Sequence, residues 1–425
     1  MNIIIRDILA VLPDGVKVAT VYIKDGVIAA IDAAPEGFKA EKTILGSGKI
    51  LMPGLVNAHT HVYMTLFRNC ADDLTFNDWL FGRILPLEDK LTQEDCYWGT
   101  LLGFMEMLST GTTAFSDMYP IVDATARAAH TTGIRAVLAR GLVGGRDNAE
   151  GGQMRLNEAF AELEKWRGFE NISFMLAPHA PYTCDDVYQK DVAAEAGRLG
   201  LRIHTHISES RSEIETIREK YGCTPPELMD GCGLLTDRTV AAHCVHLTDS
   251  DIALLARRGV SVATNPVSNL KLANGVAPVP KLIKAGVNVA LGTDGASSNN
   301  TLNMFRELGL LSLIHKGTTG DPQMITAPEA LSIATKNGAR ALGLVGVGEI
   351  KAGYKADLVI FDPDRPNIQP LNDPIAALVY SATGTEVETV MVGGKILMEN
   401  RSFTTIDREK VLFEANRVCE RIGTR

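Results

Sequence analysis

The sequence predicts an α/β fold: a (β/α)8 TIM-type barrel plus a small composite β-sandwich domain built from both chain ends. Two observations carry this prediction. Short β-branched runs occupy both ends of the 425-residue chain, and eight apolar strands alternate with helical segments between them. Such a barrel uses roughly 250 residues as one unit. We therefore expect the sandwich domain at residues 1–54 and 349–405, the barrel at 55–348 and a C-terminal helix at 406–425.

The two chain ends share the composition of short strands. Residues 16–23 and 27–31 are rich in β-branched side chains and are separated by an Asp-Gly turn at 25–26. Similar runs return at residues 357–361 and 387–392. Because strands need partners, the two sets of runs predict one sheet domain assembled from both termini.

The middle of the chain alternates strands with helices, which indicates a parallel sheet with crossover helices. A helix over residues 93–108 has Thr92 as its expected N-cap, and a second over 122–132 should stop at Gly133. The predicted strands are residues 55–58, 112–116, 134–139, 172–177, 202–205, 239–242, 260–264 and 287–291. Eight parallel strands are the number that closes a barrel of this type.

Polar side chains follow the ends of these strands. In chain order they are His59, His61, Arg140, His179, His206, His243 and Asp294. Five of the nine histidines of the chain fall in this set. Active sites of such barrels lie at the carboxyl ends of the strands, so the set predicts a site there.

The pair His59 and His61 is spaced to present both imidazoles on one side of a strand. With His206 and Asp294 it forms a nitrogen-rich ligand set suited to one divalent metal, Zn²⁺ first and Fe²⁺ as the alternative. Taken singly, the histidines could be hydrogen-bonded core residues and Asp294 a helix N-cap. Their convergence on one barrel mouth favours the metal site.

Glu209 lies three residues after His206, in the run HISE. A carboxylate beside a metal is placed to move protons between water and substrate, which predicts a catalytic role. The alternative is a solvated glutamate at a helix start. His204 forms a second HxH pattern with His206, but it should lie deeper along the strand as a hydrogen-bonded interior residue.

The net charge and the cysteine usage indicate which binding partners and which cellular compartment to expect. The net charge is −9 and the chain has no long run of Lys or Arg, which argues against nucleic acid or an anionic membrane as a partner. The seven cysteines are scattered without a CxxC pair, as expected for reduced thiols. With neither a signal-peptide pattern nor an uncharged apolar run of about 18 residues, a cytoplasmic protein is expected.

Five ordered motifs resemble the amidohydrolase superfamily: PGLVNAHTH, HISE, AAHCVH, NPVSNLKLANG and LGTDGASSNN. The late segment GEIKAGYKADLVIFD is similar to the same superfamily. Within it the chain resembles the aminohydrolase and chlorohydrolase (ATZ/TRZ-like) branch, and most of all the 5′-methylthioadenosine/S-adenosylhomocysteine deaminases. The resemblance implies a single metal held by His59, His61, His206 and Asp294. The fourth strand ends in Ala-Pro-His at 177–179, without the lysine that bridges two metals in other members.

The resemblance also implies contacts with a small-molecule nucleoside, in addition to Glu209 and Asp294. Glu88, in LPLEDKL, matches a ribose-binding glutamate, and Trp79 and His179 match residues beside the nucleoside. Arg140 matches an arginine that faces the amino-acid end of S-adenosylhomocysteine, and Arg155 is a second such residue with a spacing two residues longer. Alternatively, the arginines and Glu88 are ion-paired and Trp79 belongs to the core.

The activity implied is zinc-dependent hydrolytic deamination at a C–N bond of a cyclic amidine. S-adenosylhomocysteine would give S-inosylhomocysteine, 5′-methylthioadenosine would give 5′-methylthioinosine, and ammonia would leave. Glu209 would protonate the ring, His243 would hold the attacking water and Asp294 would accept its proton. The alternatives are deamination or dechlorination of guanine, cytosine or a triazine by the same branch, and a non-catalytic scaffold. A homo-oligomer is expected by analogy with the family.

Overall fold

The computed structural model describes residues 1–424, and it confirms the predicted fold class. The first 53 residues form five strands that belong to a mixed sheet outside the barrel. These strands are β1 (Ile3–Leu12), β2 (Gly15–Lys24), β3 (Val27–Ile31), β4 (Lys42–Leu45) and β5 (Ile50–Pro53).

The next eight strands form the barrel. They are β6 (Leu55–Thr60), β7 (Thr112–Tyr119), β8 (Arg135–Leu142), β9 (Ile172–Pro178), β10 (Arg202–Ile207), β11 (Thr239–His243), β12 (Ser261–Thr264) and β13 (Asn288–Leu291). They pair in chain order and all in parallel. Each overlaps the strand that the sequence predicts at that place. Almost every residue in them is buried, as expected for strands covered on both faces.

The seam between β6 and β13 is nearly closed by contacts from both strands. The backbone N–H of Asp294 donates to the His59 carbonyl at 3.0 Å, and the Asn57 side chain donates to Thr293 Oγ1 at 2.7 Å. Gly292 allows this approach, because a Cβ there would lie 2.9 Å from the backbone nitrogen of His59. The seam therefore brings the ends of the first and last barrel strands together.

The last four strands complete the mixed sheet. They are β14 (Leu358–Phe361), β15 (Val387–Val392), β16 (Lys395–Glu399) and β17 (Ser402–Phe403). The order is β17-β16-β15-β14-β5-β1-β2-β3, with β4 paired to β1. The two chain ends meet where β14 pairs with β5 in antiparallel register, Val359 opposite Met52.

Helices cover the barrel. They are α1 (Leu85–Glu88), α2 (Gln93–Ser109), α3 (Val122–Thr132), α4 (Ala149–Trp166), α5 (Asp186–Leu199), α6 (Arg211–Tyr221), α7 (Pro225–Gly231), α8 (Asp249–Arg258), α9 (Pro266–Lys271), α10 (Val279–Lys284), α11 (Met304–Thr319), α12 (Ala327–Ile333), α13 (Lys336–Leu342), α14 (Pro374–Ala376) and α15 (Arg408–Ile422). As predicted, the Thr92 side chain caps α2 and left-handed Gly133 ends α3. Within residues 1–424, no helix combines the length and the apolar character needed to cross a membrane.

A buried ion pair joins the barrel to the mixed sheet. Arg135, at the start of β8, donates to both oxygens of Asp357 at 2.7 and 2.9 Å. The Gly393 N–H donates to the same carboxylate at 2.7 Å. Both side chains of the pair are at most 6% exposed.

We predict that Asp357→Asn lowers the free energy of unfolding by about 3–5 kcal/mol, since it leaves the Arg135 charge buried without its counter-ion. Denaturant unfolding of the two proteins measures the difference. The matched control is Asp230→Asn, which breaks a similar two-bond pair with Arg258 at the surface. That change should cost about 1 kcal/mol or less. Equal losses in both variants would contradict the prediction.

Candidate active site

Four predicted ligands converge where the first, fifth and last barrel strands end. His59 and His61 come from the end of β6, His206 from β10, and Asp294 from the loop after β13. Asp294 Oδ1 lies 3.4 Å from His59 Nε2 and 3.3 Å from His61 Nε2. His206 Nε2 lies 3.4 Å from His61 Nε2. The four side chains therefore turn three ring nitrogens and one carboxylate oxygen toward a common point.

The other ring nitrogens have partners that fix the tautomers. The Nδ1–H of His61 donates to the Met118 carbonyl at 2.5 Å, and that of His206 donates to the His179 carbonyl at 2.8 Å. A carbonyl can only accept, so each Nδ1 carries a proton, and in the singly protonated ring that binds a metal the lone pair is on Nε2. Such outer partners orient metal-binding imidazoles.

His59 is oriented by a chain of two further side chains. Its Nδ1 lies 2.9 Å from His204 Nε2, and His204 Nδ1 lies 3.0 Å from Ser116 Oγ. When His59 Nε2 keeps its lone pair for a metal, the Nδ1–H of His59 donates to His204 Nε2. The Nδ1–H of His204 then donates to Ser116 Oγ. His204 is fully buried and hydrogen-bonded, as the sequence predicts, and it also sets the orientation of a ligand.

Asp294 is held with one oxygen free. Its Oδ2 accepts from Ser268 Oγ at 2.6 Å and from Ser298 Oγ at 2.8 Å, which leaves Oδ1 for the histidines. The backbone φ of Asp294 is 62°, a left-handed conformation that costs a non-glycine residue about 1–3 kcal/mol. This strained conformation in the loop after β13 points the carboxylate into the barrel mouth.

The donors fit a divalent metal ion. His59 Nε2 is buried and has no hydrogen-bond partner, an unsatisfied atom that a metal would satisfy. Burial lowers the pKa of His59 to about 3, so the ring is neutral at physiological pH. The donor atoms of His59, His61 and Asp294 lie within 4.8 Å of one another, as do those of His59, His206 and His243. Imidazole nitrogens and a carboxylate are ligands that zinc takes in hydrolases.

His243 and Glu209 stand beside this set. His243 Nε2 lies 3.9 Å from Glu209 Oε2, and the His243 Nδ1–H donates to Asn269 Oδ1 at 2.8 Å. Burial raises the pKa of Glu209, which favours its protonated form. Burial opposes protonation of His243, but the charges of Glu209, in its ionised form, and of Asp294 outweigh burial and raise the pKa of His243. Glu209 is therefore buried and not the solvated glutamate of the alternative interpretation.

The Glu209 backbone is fixed by a second buried glutamate. Glu213 accepts from the backbone N–H groups of Ser208 and Glu209 at 2.7 and 2.9 Å. Ser208 has a φ of 53°, so the turn is strained and depends on these bonds. Glu213 thereby aims the Glu209 side chain at the cavity.

A cavity of about 360 Å³ leads from the metal donors to Glu88. Glu88 lies at its wall and accepts a hydrogen bond from the Tyr119 hydroxyl. Trp79 and His179 also line it, and His179 Nδ1 lies 2.9 Å from Thr183 Oγ1. The remaining wall is largely apolar: Met64, Phe76, Leu80, Phe81, Leu85, Met118, Pro120, Val143 and Tyr182. The cavity can hold a ligand with an apolar body and hydroxyls at one end.

Comparison with known proteins agrees with this geometry. Residues 50–397 match the Amidohydrolase family. The chain belongs to the amidohydrolase family. It is 46% identical over 432 residues to a 5-methylthioadenosine/S-adenosylhomocysteine deaminase of Acetivibrio thermocellus, covering 99% of this chain and 100% of that protein. A protein of the same name from Carboxydothermus hydrogenoformans is 48% identical over 378 residues, 88% of this chain and 87% of its own.

Solved structures show the same fold. An adenosine deaminase from Xanthomonas campestris with bound zinc superposes with a TM-score of 0.95 and 35% identity, covering 100% of this chain and 99% of that one. An atrazine chlorohydrolase from Arthrobacter aurescens complexed with zinc superposes with a TM-score of 0.90, covering 98% of this chain and 100% of that one. At 24% identity the second likeness shows the fold alone. This amidohydrolase is an enzyme of the hydrolase class.

Two predicted residues of the amidohydrolase do not line the cavity. Arg140 donates from Nε to Glu158 at 2.7 Å and from a terminal nitrogen to the Gly141 carbonyl at 2.6 Å. Arg155 donates to the Val143 carbonyl at 3.1 Å. Gly141 and Val143 line the cavity, so each arginine contacts the backbone of a lining residue without lining the cavity itself.

Several site residues of the amidohydrolase were not assigned from sequence. They are Ser116, Tyr119, Glu213, Ser268, Asn269, Asn274 and Ser298. Asn274 donates to Glu209 Oε1 at 3.3 Å. Two of the sequence motifs contain four of these residues: NPVSNLKLANG contains Ser268, Asn269 and Asn274, and LGTDGASSNN contains Ser298. Membership of these motifs was therefore the sequence signal that could have identified them. Tyr119 is the last residue of β7, a barrel strand at whose end no site residue was predicted.

Proposed function

We propose that this amidohydrolase catalyses the zinc-dependent hydrolytic deamination of adenosine derivatives. The substrates are S-adenosylhomocysteine, which gives S-inosylhomocysteine, and 5′-methylthioadenosine, which gives 5′-methylthioinosine. The observation that carries the proposal is one cavity with Glu88 on its wall and Glu209 beside the metal donors. A nucleoside spans such a cavity with its ribose at Glu88 and its base at Glu209. The names of the two deaminases compared above support the same substrates.

The base end of the cavity supplies proton transfer. A divalent ion held by His59, His61, His206 and Asp294 supplies Lewis-acid activation of water. Water adds its oxygen to C6 of the adenine ring and gives a proton to Asp294, while His243 holds that water by a hydrogen bond. Glu209 protonates N1, so the ring takes the new bond without accumulating charge. The proton from Asp294 then reaches the amino group. The C6–N bond breaks with its electron pair on nitrogen, ammonia leaves, and the C6 hydroxyl becomes a carbonyl as its proton returns to Glu209.

The ribose end supplies binding energy and selectivity. The Glu88 carboxylate can accept from the 2′- and 3′-hydroxyls together, while Tyr119 donates to the same carboxylate. Trp79 and His179 line the space between the two ends. Burial lowers the pKa of His179 to about 4, so a neutral imidazole faces the nucleoside. We keep Arg140 and Arg155 as proposed partners of the homocysteine end, a role for which Arg140 would have to leave Glu158.

Zinc, the compartment and the assembly are also parts of the proposal. The nitrogen-rich ligand set and the zinc in the similar adenosine deaminase structure support Zn²⁺ over Fe²⁺. All seven cysteines are free thiols, which supports a cytoplasmic protein. The net charge of −9 supports a protein without nucleic-acid or membrane partners. A homo-oligomer is expected, and light scattering in solution tests it.

Ammonia release by the zinc-loaded protein tests the substrate assignment. The panel is S-adenosylhomocysteine, 5′-methylthioadenosine, adenosine, adenine, guanine, cytosine and a chlorotriazine. We expect the first two to have the highest kcat/KM. Turnover restricted to free bases or to the triazine would keep the metal site and overturn the nucleoside proposal. Protein that binds no metal and converts none of the panel would favour the scaffold alternative.

We predict that recognition of the ribose weakens as the pH falls through about 7. The apolar surroundings remove water from Glu88 and raise its pKa to about 7. Only the carboxylate, present above that pKa, accepts from both hydroxyls, so recognition is complete above it and lost below it. The measurement is the ratio of kcat/KM for 5′-methylthioadenosine to that for its 2′,3′-dideoxy analogue, because the ratio cancels titrations at the reacting end. Glu88→Gln should give a low ratio that does not change with pH, and a wild-type ratio constant from pH 5 to 9 would contradict the prediction.

A further inference from the structure

Glu88 and Trp79 lie on a segment outside the barrel strands. This segment, residues 78–91 and here called the ribose segment, comprises a π-helical turn (Asp78–Ile84), α1 and the turn that precedes α2. Phe81 and Leu85 on it line the cavity and are 52% and 38% exposed, so this face of the segment is open. The position of Glu88 therefore depends on what supports the opposite, buried face of the segment, here called its inner face.

The C-terminal helix α15 contributes to that support. Ala415, Val418 and Ile422 belong to one hydrophobic cluster with Trp79, Ile84 and Leu87 of the ribose segment. All six side chains are buried. The cluster also contains Phe67 and Cys96, from the 3-10 turn after β6 and from α2. The apolar stripe of α15 and the inner face of the ribose segment thus share one small core.

Polar contacts fasten the end of α15 to the turn that follows Glu88. Arg421 donates to the Lys90 carbonyl at 3.3 Å and forms an ion pair with Asp95. Lys90 Nζ in turn donates to the Ile422 carbonyl at 3.0 Å. Asp95 also accepts from the backbone N–H of Thr92 at 2.7 Å, which fixes the start of α2. Arg421 therefore links α15, the turn two residues beyond Glu88 and the cap of α2.

We propose that Arg421 is a positioning residue for ribose recognition: it holds the ribose segment so that Glu88 faces the cavity. The inference rests on the role proposed for Glu88 in the nucleoside reaction. Arg421 contacts the turn beyond Glu88 and none of the metal donors or Glu209. Its loss should therefore weaken binding of the hydroxyl-bearing part of the substrate and leave the chemical step intact. Small displacements of positioned groups have large effects on rate at subsaturating substrate.

The test uses the full zinc-loaded chain and the variant Arg421→Ala. We expect KM for 5′-methylthioadenosine to rise, kcat and zinc content to stay the same, and the ratio of kcat/KM for 5′-methylthioadenosine to that for its 2′,3′-dideoxy analogue to fall by about tenfold to a hundredfold. Arg421→Lys, which keeps the charge beside Asp95, should recover part of the ratio. Arg417→Ala is the matched control, because Arg417 lies on the same helix and pairs only with Glu414 among the ion pairs of the described chain.

The outcomes separate this inference from the proposed function. A wild-type protein that does not deaminate 5′-methylthioadenosine overturns the proposed function. If the wild type is active but Arg421→Ala keeps the full ratio, the positioning role is wrong. It is equally wrong if kcat, zinc content and both substrates decline together, since that pattern indicates general destabilisation. A lowered ratio in Arg417→Ala as well would assign the effect to the charge of the helix and overturn the role of Arg421.

Discussion

Glu209→Gln is expected to lower kcat by about 10²–10⁴, the usual contribution of a positioned acid–base group, while zinc content stays unchanged. Glu209 is buried beside His243 and hydrogen-bonded by Asn274, and its raised pKa favours the protonated form that can donate to N1. A glutamine fills the same space but cannot transfer a proton. Steady-state turnover of 5′-methylthioadenosine and elemental analysis of the same preparation measure both quantities.

The matched control for this change is Glu215→Gln. Glu215 lies on α6, six residues further along the chain, and is exposed. The same chemical change there should leave kcat at the wild-type level. Near-normal turnover in the Glu209 variant would remove Glu209 from the mechanism, and loss of zinc would show that it acts through the metal site.

The second large effect is expected for Asp294→Asn. The change removes the only carboxylate among the metal donors and the proposed acceptor of the water proton. Zinc content should fall, and turnover should drop by about three orders of magnitude or more, because metal activation contributes several kcal/mol to such reactions. Elemental analysis and activity measured across a zinc titration provide the data.

Ser298→Ala is the graded comparison for Asp294. It removes one of the two hydroxyl groups that donate to Oδ2 and leaves the carboxylate in place. We expect a smaller loss, about 10–100-fold in zinc affinity, as is usual for outer partners of a ligand. An Asp294→Asn protein with full zinc content and wild-type turnover would contradict the proposed metal site.

The barrel and its metal ligands could be predicted because their signals are local. Each strand is a short apolar run, and each predicted ligand stands where such a run ends. The spacing of His59 and His61 already places both rings on one side of a strand. Glu209 follows His206 by three residues, so the ligand and its acid–base partner could be assigned together.

The features of the site that could not be predicted depend on pairs of residues far apart in sequence. Tyr119 donates to Glu88 across 31 positions, and His204 reaches His59 across 145. No local sequence pattern predicts such contacts. Arg140 shows the converse: its position at a strand end predicts a site residue, but in the structure it pairs with Glu158 on α4. The support of the ribose segment by α15 is likewise invisible in sequence, where α15 is only an amphipathic helix.

The sheet that unites both chain ends has a consequence for the order in which the protein is made. β5 is complete at Pro53, but β14, its antiparallel neighbour, begins at Leu358, about 300 residues later. At about 5–20 residues per second, a ribosome needs about 15–60 s to supply it. During that interval β1 to β5 can form only part of their sheet, and the side of β5 that later pairs with β14 is an open edge of the kind that invites aggregation. The N-terminal strands must therefore wait for almost the whole barrel to be synthesised before their own layer is finished.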